Sequence, residues 1–157
     1  RAALRAWAPG AAVVHLAAHA QYRHDNPLLS SLEMADGRLT LYDLLDLDLG
    51  GALVVLSGCR TGWTAGGSGM ELLGLSGGFH RAGATALVAS LWPVEDEETA
   101  RFMASFYEGL GSGSPRAALA GAMRLRIGAG ALPHEWAPFH LSGRAGSSPI
   151  KGGTSSP

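Results

Sequence analysis

The sequence predicts an α/β protein: a mostly parallel sheet with helices on both faces. Three apolar segments bounded by turn residues, AAVVHLAAH at 11–19, ALVVLSGC at 52–59 and ATALVASLW at 84–92, are nearly continuous rather than alternating in hydrophobicity. Strands buried on both faces of a parallel sheet look like this. Between and after these segments lie helical patterns, and strand–helix alternation implies right-handed crossovers between parallel neighbours. With 157 residues, 46% of them hydrophobic, the chain can bury one sizeable core in one domain.

The elements follow in order. RAALRAWAPG reads as the tail of a helix and a turn, so the chain is expected to be a piece of something longer, truncated at the N-terminus. The first strand ends at His19. SLEMADGRLT sets Asp36-Gly37 between short apolar flanks, the pattern of a β-hairpin projecting after that strand. A short helix from Thr40 would turn Leu41, Leu44 and Leu45 inward, and the second strand then runs into Cys59. From Ser68 to Gly83 the spacing of Met70, Leu73, Phe79 and Ala82 predicts a helix, with Glu71 placed as in a capping box and Gly83 as a C-cap. After the third strand, DEETARFMASFYEGLG opens with acidic residues from Asp96 and carries Ala100, Met103, Phe106, Tyr107 and Leu110 on one stripe. SPRAALAGAMRLRIG, from Ser114 to Gly128, begins with a serine cap and a proline in the first turn. HEWAPFHLSGR at 134–144 is compatible with a last strand carrying Phe139 and Leu141. Residues 145–157, AGSSPIKGGTSSP, lack apolar content and read as a disordered tail behind a domain spanning 1–144.

Charge and cysteine usage narrow the function. A formal net charge of -1 supplies no field that would draw the molecule to nucleic acid or an anionic membrane. No apolar run approaches the ~18 residues of a membrane helix. One cysteine cannot form an internal disulfide, which favours a reducing cytoplasm.

In open parallel sheets, ligands and catalytic groups gather beyond the carboxyl ends of the strands. That rule selects His19 and Cys59: if their strands are neighbours, a base and a nucleophile meet at one edge. Cysteine attacks as the thiolate, and an imidazole that takes its proton makes an ion pair reactive at neutral pH. Gly58 and Gly62 would let backbone amides approach a substrate carbonyl. A buried thiol and a loop histidine are the commoner meaning of an arbitrary Cys and His, but the position at strand ends favours chemistry here. Of the other histidines, His15 falls within a strand as core or sheet surface, His24 on a loop, His80 on a helix, and His134 and His140 near the end. No Cys-x-x-Cys or clustered His and carboxylate spacing supports zinc, and no cofactor is implied.

The segments HLAAH at 15–19, LVVLSGCRTGW at 53–63, GMELLGLSGGFHRAGATALVASLWPVEDEET at 69–99 and HEWAPFHLSG together resemble the CHAT domain, a caspase-like cysteine peptidase domain related to caspases and separases and often attached to tetratricopeptide repeats. The resemblance covers roughly residues 12–143, with several motifs in order. It implies a caspase-like α/β fold with His19 as base and Cys59 as nucleophile. The family usually has glycine straight after the histidine, its N–H serving the oxyanion; here Ala20 supplies that N–H, beside that of Cys59. The strands that precede the histidine in the family are not found. ASLWPVEDEET resembles the separase segment lining the cleft, which implies that Asp96 receives an arginine side chain, a charge-assisted contact favouring cleavage after Arg or Lys. The competing meaning of Glu95, Asp96, Glu97 and Glu98 is complementation of a helix dipole. Ser90, Leu91 and Trp92 would pair with the substrate backbone as an added strand; Trp92 is equally suited to the core.

The expected function is therefore a cysteine endopeptidase acting on a protein partner, with tetratricopeptide repeats possible in the parent protein. The alternative is a non-catalytic interaction module of the same family. A nucleotide-binding domain using GWTAGGSG as a phosphate loop is weaker, since the loop lacks the Gly-Lys-Ser/Thr ending. A serine hydrolase is weaker still, because neither Ser57 nor Ser90 has a Gly-x-Ser-x-Gly surround.

Overall fold

A computed structural model describes residues 1–21, 23, 25–58 and 70–146, with residues 27 and 70–73 described by their backbone alone. Helix α1 (Ala2–Trp7) leads into strands β1 (Val13–Leu16) and β2 (His19–Gln21), the hairpin β3 (Ser31–Met34) and β4 (Gly37–Thr40), and helix α2 (Leu41–Leu44). Then come β5 (Leu53–Leu56), α3 (Met70–Arg81), β6 (Ala86–Ser90), α4 (Asp96–Leu110), α5 (Pro115–Gly128), α6 (Pro133–Trp136) and β7 (Phe139–Gly143).

The main sheet runs β1-β5-β6-β7, parallel except for the last strand. Its two inner strands are buried at every position, and alternate residues serve different cores. Val54, Leu56, Leu87 and Ala89 face one layer with Val14 and Leu16; there they meet Leu75, Phe79 and Ala82 of α3 and the buried Leu44 of α2. Leu53, Val55, Ala86 and Val88 face the opposite layer and meet Phe102, Met103, Phe106 and Leu110 of α4 and Ala118, Leu119 and Ala122 of α5. The continuous apolar runs thus follow from helices on both faces. Phe102 stacks on Phe139 of β7 at a centroid distance of 4.0 Å, a contact worth about 1 kcal/mol beyond its area burial.

Several elements differ from expectation for physical reasons. The first apolar run is not one strand: β1 stops at Leu16, and His19 opens β2 in a separate antiparallel sheet ordered β2-β3-β4. The hairpin does not project, because Ala20, Leu32 and Leu39 line one face of that small sheet and are buried in the α3-side core. Leu45 of the α2 turn is exposed, unlike Leu44. In α4, Ala100 is exposed and Phe102 takes the inward place. The last segment divides into a four-residue helix and a strand antiparallel to β6. Ala145, assigned to the tail, is buried in the α4-side core, and Arg144 N–H donates to Thr85 O at 2.8 Å. Packing therefore extends beyond residue 144.

Expected caps are present at Ser114 and Gly83, and Thr40 supplies another; Ser68, expected to form a capping box with Glu71, lies outside the described residues. Thr40 Oγ1 accepts from Asp43 N–H at 3.1 Å while the Asp43 carboxylate accepts from Thr40 N–H at 2.9 Å, a capping box for α2. Ser114 Oγ accepts from Ala117 N–H at 3.3 Å at the start of α5. Gly83 ends the α3 layer at φ +102°, where a Cβ would also crowd the Gly50 backbone.

Candidate active site

Strands β1 and β5 are parallel neighbours in the register Val13↔Leu53 to Leu16↔Leu56, so the chain leaves both at the same edge. From β5 it continues into Ser57 and Gly58; from β1 it crosses Ala17 and Ala18 to His19. These two short connections interlock. Ser57 N–H donates to Leu16 O at 3.3 Å, extending the ladder by one residue. A Cβ on Gly58 would lie 2.6 Å from Ala18 N and 2.9 Å from Ala17 C and Ala18 O, so only glycine fits against that backbone.

Two histidines four residues apart bind the two residues of this turn. His19 Nδ1 is 3.2 Å from Gly58 O. A carbonyl only accepts, so Nδ1–H is the donor and Nε2 of the neutral ring holds the free lone pair. The ring is exposed, and its strand neighbour across the small sheet is Glu33, also exposed. His15 Nε2 is 2.6 Å from Ser57 Oγ, on the α4 side of the main sheet, where its ring lies 5.5 Å from that of Tyr107. Burial lowers the pKa of His15 below the usual imidazole value and pushes the Tyr107 phenol up to about 12.

Position selected His19 for the right edge but on the wrong element. It sits past the end of β1 rather than on its last residue. Ala20 faces inward, with its methyl in the core, and no non-glycine residue among those described has a positive φ. Alanine is thus unstrained where glycine was expected. Cys59 lies outside the described residues, as do Gly62 and the GWTAGGSG loop. The contacts of His15 with Ser57 were not read from the sequence. The signal available was the parallel register, which sets HLAAH against LVVLSG; without a known register the two side chains are 42 residues apart.

The third connection at this edge follows β6, whose Ala89 is level with Leu56. Ser90 is buried and its hydroxyl donates to Trp92 O. Leu91 N–H donates to Pro138 O at 3.0 Å, so that group is engaged within the chain. Trp92 is half-buried, and its indole N–H donates to His134 O at 3.1 Å, tying the loop to α6. Beside it opens a cleft of about 270 Å³ lined by Pro93, Val94, Glu95, Asp96, His134 and Glu135. Asp96 is exposed at the first residue of α4 and has no hydrogen bond or ion pair among the described residues. Glu135 Oε2, by contrast, accepts from Leu132 N–H at 2.6 Å. The first turn of α4 is anchored from behind by the pair Glu98–Arg126. Among the described residues no group of three or more His, Cys, Asp or Glu is placed to hold a metal ion, and no helix is long and apolar enough to cross a membrane.

Comparison with known proteins agrees with this architecture. The family model described as CHAT domain matches residues 1–144. Tetratricopeptide repeat protein 28 of Mus musculus is 38% identical over 111 residues, which is 67% of this chain and 4% of that protein. Its Homo sapiens counterpart is 37% identical over 111 residues, again 67% and 4%. The chain therefore spans a small fraction of the curated relatives it matches.

Proposed function

Because the chain belongs to the CHAT domain family, we propose that it is a cysteine endopeptidase domain in which His19 is the base and Cys59 the nucleophile, acting on a protein partner after a basic residue. The observation that supports this best is the 3.2 Å contact between His19 Nδ1 and the carbonyl of Gly58, the residue before Cys59 in the sequence. It directs Nε2 of an exposed ring to serve as the proton acceptor.

In this reading the Cys59 thiol gives its proton to His19 Nε2, and the thiolate forms a C–S bond with the scissile carbonyl carbon. The carbonyl oxygen becomes an oxyanion, held by the N–H groups of Ala20 and Cys59. Collapse breaks the C–N bond, and the leaving amine takes the proton from the imidazolium. A water, losing its proton to His19, then hydrolyses the thioester. Asp96 is the acidic group of the rim that receives the basic side chain; its lack of a side-chain partner among the described residues supports that role. Trp92 shapes the same rim, and Ser90 acts there through the Trp92 carbonyl it binds. The family's association with tetratricopeptide repeat proteins supports a parent protein in which such repeats present the substrate.

Alkylation by iodoacetamide near pH 6 tests the dyad. Wild type should label several times faster than His19→Ala, since an isolated thiol is mostly protonated there. Equal, slow labelling of the two would leave the non-catalytic interaction module as the surviving reading. A peptide-library profile with Cys59→Ala as blank then tests the preference for Arg and Lys.

A further inference from the structure

The two bonds from HLAAH to the turn after β5 are not equivalent. His19 touches a backbone carbonyl, that of Gly58. His15 holds a side chain: its Nε2 lies 2.6 Å from Ser57 Oγ, while Ser57 N–H is already bonded to Leu16 O. Ser57 is thus fixed at two atoms, one on the backbone and one on the side chain, two residues before Cys59 in the sequence. The His15 ring is itself located by Tyr107 of α4, the group that faces it from the opposite layer. Tyr107 Oη is buried with no hydrogen-bond partner among the described residues, so this contact is one of ring packing.

We propose that His15 and Ser57 are positioning residues of the dyad, setting the direction in which the chain leaves β5 and so the delivery of Cys59 to His19. This role rests on the endopeptidase reading above. It assigns a purpose to the first histidine of HLAAH that differs from that of the second: one aligns the turn, the other takes the proton. Desolvation beside Tyr107 lowers the His15 pKa below the ordinary imidazole value, which favours the neutral ring as a hydrogen-bonding partner. Breaking the bond does not remove the thiol or the base. It loosens their alignment, and the thiol pKa rises toward that of a free cysteine.

The chain has one cysteine, so alkylation reports on Cys59 alone. Second-order rates of iodoacetamide labelling are measured between about pH 5 and 9 for wild type, Ser57→Ala, Ser57→Thr, His15→Phe, His15→Gln and His19→Ala. Phenylalanine keeps the packing against Tyr107 but has no ring nitrogen; threonine and glutamine keep a hydrogen-bonding atom. Ser57→Ala and His15→Phe should label about tenfold more slowly than wild type near pH 6, one unit of thiol pKa, and equally fast near pH 9, where the thiol ionises unaided. Ser57→Thr and His15→Gln should follow the wild-type profile. Should Ser57→Ala fold poorly, the His15 pair carries the test from the other end of the same bond. Profiles of Ser57→Ala or His15→Phe that superimpose on wild type overturn the positioning role and leave the dyad standing. A wild-type profile identical to that of His19→Ala overturns the dyad and this role with it.

Discussion

The turn at the end of β5 and the rim after β6 leave the same edge of the sheet but are built on opposite plans. Around Ser57 and Gly58 every position is dictated by a contact: a backbone bond, two histidine bonds, and a glycine pressed against the Ala17–Ala18 backbone. Along the rim the framework is held from beneath by Ser90, Leu91 and Trp92, while Asp96 stands in a cleft without a side-chain partner among the described residues. Under the proposed function, the difference would separate two requirements of a peptidase. Bond-making geometry tolerates little displacement and is specified sterically. Substrate choice depends on exposed charge and can vary without disturbing that geometry.

Substitutions at the two places should therefore have different signatures. The largest effect is expected at Gly58→Ala. The atoms met by its new Cβ all belong to backbone, so no rotamer relieves the clash, and the loss should fall at the upper end of the ~1–3 kcal/mol typical of overpacking. Denaturant unfolding would show it, together with slowed labelling of Cys59 near pH 6. A variant as stable as wild type would mean that the two connections are less tightly interlocked than described. Asp96→Asn should spare stability and thiol reactivity but lower kcat/KM for Arg and Lys peptides about tenfold or more, the scale of one charge-assisted hydrogen bond. An unchanged ratio of basic to neutral substrates would return Asp96 to a role at the α4 dipole alone.

Smaller effects test the scaffold behind each region. Asp43→Ala removes the carboxylate half of the α2 capping box and should cost about 1 kcal/mol in urea unfolding. The Thr40 hydrogen bonds hold the Asp43 carboxyl below its ordinary value, so this contribution is complete above that value and lost as pH falls through the lower folded one. His15 and His140 act in a higher window. Burial depresses both below 6.5, the folded state binds fewer protons than the unfolded one, and stability should decline as pH drops through that value. The Ala89 carbonyl bonded to His140 Nδ1 partly offsets the effect of burial there, and His15→Phe and His140→Phe should each flatten the decline in a pH series of urea unfolding.

Much of the fold was legible because local and global signals agreed. Continuous apolar runs marked β5 and β6, and caps at Ser114 and Gly83 stood at the turns they predicted. The boundary between β1 and β2 was hidden because Ala17 and Ala18 extend the apolar run without a turn residue, although the chain changes sheets there. Phe102 displaced Ala100 from the inward stripe of α4 because the stacked ring on β7 selects the larger side chain, a tertiary preference invisible to helical spacing. At the candidate site, His19 was singled out by its place near a strand end, and its ring does lie at that edge, 3.2 Å from Gly58 O. His15 with Ser57 was not, since their contact depends on the pairing of Leu16 with Leu56, which sequence distance does not disclose.

His19 belongs to the small antiparallel sheet and Gly58 follows the large parallel one, with only two alanines linking them along HLAAH. The separation between the His19 ring and the turn is thus also a measure of how the two sheets are seated against each other. Because His19 is paired with Glu33 and that strand with β4, the β3–β4 hairpin and the His19 ring belong to one hydrogen-bonded sheet, so the footing of that remote loop is also the footing of a single ring.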